Sequence, residues 1–119
     1  MAELPLVSII TPSFNHVKYI EATMQSVFSQ DYPNIEYIVV DGGSNDETVD
    51  IIKKYENRLA WWVSEKDKGQ TDAINKGFAR ATGSILAWLN SDDTYEPGAV
   101  TAAVKYLQEH PEEIGRAHV

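Results

Sequence analysis

The chain has 119 residues, 43% of them hydrophobic and 24% charged, with no cysteine. That length forms one domain with a sizeable core, and the missing thiols exclude disulfide frameworks, thiolate zinc sites and a cysteine nucleophile. Ten Lys plus Arg against eighteen Asp plus Glu give a net charge of −8, which excludes the basic face a nucleic-acid binder needs.

The first element is Leu6-Val7-Ser8-Ile9-Ile10-Thr11, a β-branched run closed by Pro12 that reads as a buried strand. Ile20, Met24, Val27 and Phe28 then form one helical stripe. A second strand, Ile35 to Val40, leads into Asp41-Gly42-Gly43-Ser44-Asn45-Asp46-Glu47. There Ser44 and Glu47 have capping-box spacing, which makes Ser44 the N-cap of a helix carrying Val49, Ile52 and Tyr55. Leu59 to Ser64 is a third strand. Ile74, Gly77, Phe78 and Ala81 mark a third helix, which Gly83 is expected to end. Ser84 to Leu89 is the fourth strand, and Val100, Ala103, Val104 and Leu107 the fourth helix, with Pro97 in its first turn. Strands alternating with helices imply βαβ units, a mainly parallel sheet and helices on both faces.

In such sheets ligands bind beyond the carboxyl ends of the strands. The strand-to-helix loops are therefore the places to read for chemistry. Asn90-Ser91-Asp92-Asp93-Thr94 sets two carboxylates after a buried strand, a donor set suited to Mg2+ or Mn2+ shared with a phosphate. A solvated turn explains it equally well. Asp41 could accept hydrogen bonds from a ligand, although Gly42-Gly43 also makes a plain turn, with Ser44 or Asp46 capping the helix after it. Asp67 and Lys68 could touch a nucleotide or belong to a solvated charge run. The first loop, Pro12 to His16, has no glycine, which argues against a G-x-G-x-x-G dinucleotide site. His16, His110 and His118 do not cluster and are given no role; Trp61, Trp62 and Trp88 read as core.

Taken together, four segments resemble the nucleotide-sugar-binding half of inverting family 2 glycosyltransferases. They are Val7 to Asn15, Tyr37 to Asp46 with its DGS-x-D-like turn, Asp67-Lys68-Gly69 with Ala73-Ile74-Asn75-Lys76-Gly77, and Leu89-Asn90-Ser91-Asp92-Asp93 with its D-x-D-like end. The resemblance implies a Rossmann-like GT-A half domain over residues 1–112 and transfer of a sugar from a nucleoside diphosphate, UDP first, to an acceptor hydroxyl. It implies that Thr11, Pro12 and Asp41 line the base pocket, with Asp41 hydrogen-bonding the base. Asp67 and Gly69 would sit near the nucleoside, Asp92 would contact the ribose or sugar, and Asp93 would bind Mn2+ or Mg2+. Asn90 departs from the family's first Asp. The saccharide or lipid-linked acceptor and the general base belong, in that family, to a second half, so this chain alone is expected to be inactive.

The last residues, Glu113-Ile114-Gly115-Arg116-Ala117-His118-Val119, can be back-translated to a common sequencing-adapter sequence, so residues 113–119 are expected to be a non-native tail. The chain shows neither a signal peptide nor an apolar run of membrane-spanning length. A cytoplasmic location is expected, at the cytosolic membrane face for a full-length relative. The alternative reading is a non-catalytic nucleotide-binding module. A sugar nucleotidyltransferase normally opens with a Gly-rich loop, and a receiver domain with acidic residues after its first strand; Thr11 to Asn15 has neither.

Overall fold

A computed structural model describes residues 4–110, and the tail expected over 113–119 lies outside the described residues. In chain order come β1 (Val7–Ser13), α1 (Ile20–Phe28), β2 (Ile35–Asp41), α2 (Thr48–Lys54), β3 (Trp61–Ser64), α3 (Gln70–Arg80), β4 (Ile85–Trp88) and α4 (Ala99–Glu109). A single 3-10 turn, Glu56–Arg58, joins α2 to β3. The strands form one sheet in the order β3-β2-β1-β4, and each neighbouring pair is parallel. The expected α/β architecture is therefore the one observed.

Side chains alternate across a strand, and the alternation sorts the core into two layers. Val7, Ile9, Tyr37, Val39, Ile85 and Ala87 face one way and meet Ile20, Met24 and Val27 of α1, Ile52 of α2, and Val100, Val104 and Leu107 of α4. Ile10, Ile38 and Val40 face the other way and meet Ala73 and Phe78 of α3. Helix α3 sits close because Gly77 has no side chain; a Cβ there would lie 2.4 Å from Ile10 Cγ2.

Several boundaries differ from the sequence reading, each for a physical reason. β1 continues past Thr11 through Pro12 to Ser13. The Ser13 carbonyl accepts from Gly42 N on the β2 side, whereas the Ile10 carbonyl accepts from Leu89 N on the β4 side. Pro12 thus turns its missing N–H toward β4, whose pairing with β1 has already ended at Ile10. Ser44 is not the cap of α2; the helix begins at Thr48 with no side-chain cap, and the Ser44 hydroxyl donates to Asp41 instead. Asp46 holds the helix entry, accepting from Thr48 N at 2.9 Å. Gly83 does not end α3, which stops at Arg80. It permits a close approach to β1, since a Cβ would lie 2.5 Å from Ser8 Oγ and 2.6 Å from the Leu6 carbonyl. Pro97 precedes α4 rather than opening it, because Gly98, at φ +79°, turns the chain into the helix at Ala99. Trp88 is 38% exposed rather than core, on the edge strand, where Phe78 packs edge-on against it.

Candidate functional site

The carboxyl ends of the parallel strands open onto a cavity of about 590 Å3. All four strand-to-helix loops contribute to it. Pro12, Ser13, Phe14 and His16 come from the first, and Gly42 and Gly43 from the second. Lys66, Asp67 and Gly69 come from the third, with Gln70 and Ala73 of α3, and Asn90, Ser91 and Asp92 from the fourth. Of the residues singled out in the sequence, Pro12, Asp67, Gly69 and Asp92 meet here.

Asp41 does not line the cavity, and its surroundings explain why. It ends β2 in register with Ser13 of β1 and Ser64 of β3. Both serine hydroxyls donate to its carboxylate, at 2.7 and 2.8 Å. Ser44 donates through its hydroxyl at 2.6 Å and its backbone N–H at 2.7 Å, and Gly43 through its N–H at 3.0 Å. Five protein donors meet a group with about four lone-pair sites. The side chain is fully buried. In this arrangement Asp41 fixes the Gly42-Gly43 floor beneath the cavity. Gly43, at φ +84°, supplies the conformation this turn requires.

Thr11 does not line the cavity either. Alternation puts Thr11 on the Ile9 face, under α1, where it is fully buried and its hydroxyl bonds the Tyr37 hydroxyl at 2.8 Å. Burial raises the Tyr37 phenol far above its ordinary pKa, opposed by that hydrogen bond, so it stays protonated. Pro12 and Gly42, one residue on from Thr11 and Asp41, have the opposite parity and line the cavity.

The fourth loop is held through its backbone. Thr23 of α1 donates to the carbonyls of Ser91, at 3.0 Å, and Asp93, at 2.5 Å. The carboxylates of Asp92 and Asp93 are exposed. Asp92 lines the cavity, whereas Asp93 lies just beyond its lining and accepts Thr94 N at 3.1 Å. His16 bridges the first and fourth loops, its Nδ1 lying 2.5 Å from Ser91 Oγ. Gln70 at the start of α3 donates to Asn90. Beneath this loop, burial raises the Tyr95 phenol to about 12. Its hydroxyl has no hydrogen-bond partner among the described residues.

Among the described residues, no group of three or more His, Asp or Glu side chains could hold a metal alone. The fourth loop sets the exposed carboxylates of Asp92 and Asp93 at the cavity's rim. That chemistry fits a hard cation completed by phosphate oxygens rather than a closed protein cage. The cavity also takes in Ser13, Phe14, His16, Gly42, Gly43, Lys66, Gln70, Ala73, Asn90 and Ser91, which the sequence reading did not name as site residues. Their signal was position in the loops, with no distinctive residue type to mark them.

The pattern of glycosyl transferase family 2 matches residues 8–117. TuaG of Bacillus subtilis, named as a teichuronic acid biosynthesis glycosyltransferase, is 40% identical over 108 residues, covering 88% of this chain and 43% of TuaG. The chain spans about two-fifths of the length of the first curated relatives it matches, 42% and 43%. S. aureus TarS in complex with UDP-GlcNAc superposes with a TM-score of 0.80 at 30% identity, covering 89% of this chain and 32% of that one. The mannosyltransferase PcManGT of Pyrobaculum calidifontis, in complex with GDP-Man and Mn2+, gives 0.80 at 31% identity, covering 87% and 32%. Sequence pattern, strand order and structural neighbours agree: the chain belongs to glycosyl transferase family 2 and has the architecture of its GT-A fold.

Proposed function

We propose that this chain is the donor-binding part of an inverting, metal-dependent glycosyltransferase that takes a sugar from a nucleoside diphosphate, UDP in the first instance. The observation that carries this reading is the cavity at the carboxyl ends of the strands, in a chain that superposes on relatives captured with UDP-GlcNAc and GDP-Man. Pro12 and Phe14 offer apolar surface for a base, and Ser13, Asn90 and Ser91 offer hydroxyl and amide groups for ribose and sugar.

A protein of net charge −8 repels a diphosphate. Lys66 and the uncapped start of α3 at Gly69 offset part of that repulsion. A divalent cation, Mn2+ or Mg2+, held by Asp93 and Asp92, would supply Lewis-acid stabilisation of the leaving diphosphate. These carboxylates remain free to bind because Thr23 anchors their loop by its carbonyls. His16 and Ser91 hold the first and fourth loops together across the cavity.

The acceptor, a saccharide or lipid-linked hydroxyl, needs a general base. We assign that base to a part of the family domain outside these residues, so this chain binds donor without turning it over. The name of TuaG favours a polysaccharide acceptor. We place the protein on the cytoplasmic side; no helix among the described residues is long and apolar enough to cross a membrane.

Titration calorimetry with UDP and Mn2+, then with EDTA, tests the reading. Binding that needs metal and is lost in Asp93→Asn is expected. A cooperatively folded chain that binds neither UDP nor GDP would overturn it.

A further inference from the structure

His16 closes the first loop, and both its backbone and its ring are held. Its N–H donates to Thr48 Oγ1 at 3.1 Å, and its carbonyl accepts Tyr19 N and Ile20 N at the entry to α1. Its ring meets the Tyr19 ring edge-on, with centroids 6.0 Å apart. Nδ1 lies 2.5 Å from Ser91 Oγ. Ser91 is 2% exposed, and its hydroxyl has no other hydrogen-bond partner among the described residues. A buried hydroxyl hydrogen needs an acceptor. Nδ1 is the acceptor at hand, so Ser91 donates and His16 accepts. In a neutral imidazole the accepting nitrogen is the one without the hydrogen. This network therefore puts the His16 hydrogen on Nε2. That N–H has no hydrogen-bond partner among the described residues, in a side chain that lines the cavity.

We propose that His16 binds the diphosphate of the donor, its Nε2–H donating to a phosphate oxygen held between the first and fourth loops. This rests on the nucleotide-sugar reading of the cavity. Ser91 occupies one ring nitrogen and thereby makes the other a donor, so the tie between the loops and the ligand contact belong to one ring. Ser91 directly precedes Asp92, which places this donor beside the loop that carries the exposed carboxylates. A diphosphate brought to carboxylates needs groups that donate to it. Among the described residues that line the cavity, Lys66 alone carries fixed positive charge, against Asp67 and Asp92. A hydrogen bond to an ionised phosphate is charge-assisted and roughly twice as strong as one between neutral groups. A ring already held by Ser91 and Tyr19 loses little freedom in making it.

Two variants separate the donor from the tie. The amide of an asparagine reaches about as far as Nδ1, whereas that of a glutamine reaches about as far as Nε2. His16→Asn therefore keeps an acceptor for Ser91 and loses the donor to phosphate, and His16→Gln keeps a donor at the outer position. Calorimetry on the full chain with UDP and Mn2+, with a thermal melt on every variant, reads the difference. His16→Asn is expected to weaken UDP binding about tenfold, the range for a hydrogen bond to a charged group, and His16→Gln to stay within about threefold of wild type. A His16→Asn that melts cooperatively and binds UDP as tightly as wild type would overturn the proposal, leaving the nucleotide-sugar reading intact and His16 as a tie between loops. A His16→Gln that binds as weakly as His16→Asn would overturn it as well. If His16→Asn does not melt cooperatively, His16→Phe, which keeps a ring beside Tyr19 and has no ring nitrogen, is compared with His16→Gln in its place, with the same two outcomes. A folded wild type that binds neither UDP nor GDP would overturn both readings.

Discussion

The floor and the rim of the cavity each carry acidic residues at the end of a strand, yet the two are built in opposite ways. At the floor, Asp41 is buried and accepts five hydrogen bonds from two neighbouring strand ends and the turn after β2. At the rim, Asp92 and Asp93 are exposed, and their loop is tied down through backbone carbonyls bonded to Thr23. A carboxylate whose acceptor sites are filled by the protein contributes shape. One left open can contribute charge to a ligand. The acidic residues that look alike in sequence therefore divide into one satisfied by protein donors and a pair exposed at the rim.

The largest effect should come from emptying the floor. Asp41→Ala leaves buried hydroxyls and N–H groups without an acceptor, and is expected to lower stability by about 3–5 kcal/mol. That is a large share of what a domain of this size has. Urea denaturation followed by circular dichroism measures it. A loss below about 1 kcal/mol would mean the five contacts are not held in solution, and the contrast with the rim would collapse.

The rim should respond the other way. Asp93→Asn is expected to change stability by less than about 0.5 kcal/mol, since it removes an exposed charge. It should weaken Mn2+-dependent UDP binding by about tenfold or more, a carboxylate being the better ligand for a hard cation. Destabilisation with unchanged metal-dependent affinity would make Asp93 another structural carboxylate. Ser64→Ala is smaller again. It removes one of five donors to Asp41 and is expected to cost about 1 kcal/mol in the same urea experiment. It shows how evenly the floor is shared between strands.

The order of elements and the four-loop cavity were legible in the sequence, because period-two and period-3.6 patterns need no tertiary information. What was not legible is which loop residues face inward. Asp41 and Gly42 are neighbours of opposite parity, and the exact end of β2 decides which one lines the cavity. The run from Ile35 to Asp41 shows the strand but not that Ser13 and Ser64 stand beside Asp41 in register. Ser44 read as a helix cap because its spacing to Glu47 is right; the buried carboxylate three residues earlier competes for the same hydroxyl and wins. His16 carried no signal, since its contact with Ser91 joins residues 75 positions apart.

The opposite end of β2 holds a carboxylate that sharpens the contrast without touching the site. Glu36 accepts from Ser8 Oγ at 2.7 Å and from Thr82 N and Oγ1, both at 2.8 Å. Partial burial opposes its ionisation, but these three hydrogen bonds prevail, and its pKa lies below the ordinary 4.5. The ionised form is therefore favoured in the folded state relative to the unfolded chain. Its contribution to stability is present above the ordinary glutamate value and is lost as pH falls through the depressed one. Wild type and Glu36→Gln should differ in urea midpoint at pH 7, and the gap should narrow steadily below about pH 4.5. UDP affinity should be the same in both, because the group lies at the amino end of the strand and the cavity at its carboxyl end. A gap that widens on acidification would reverse the sign of the pKa shift. A change in UDP affinity would mean that the two ends of β2 are coupled, and that a carboxylate satisfied by protein donors can govern binding from outside the site.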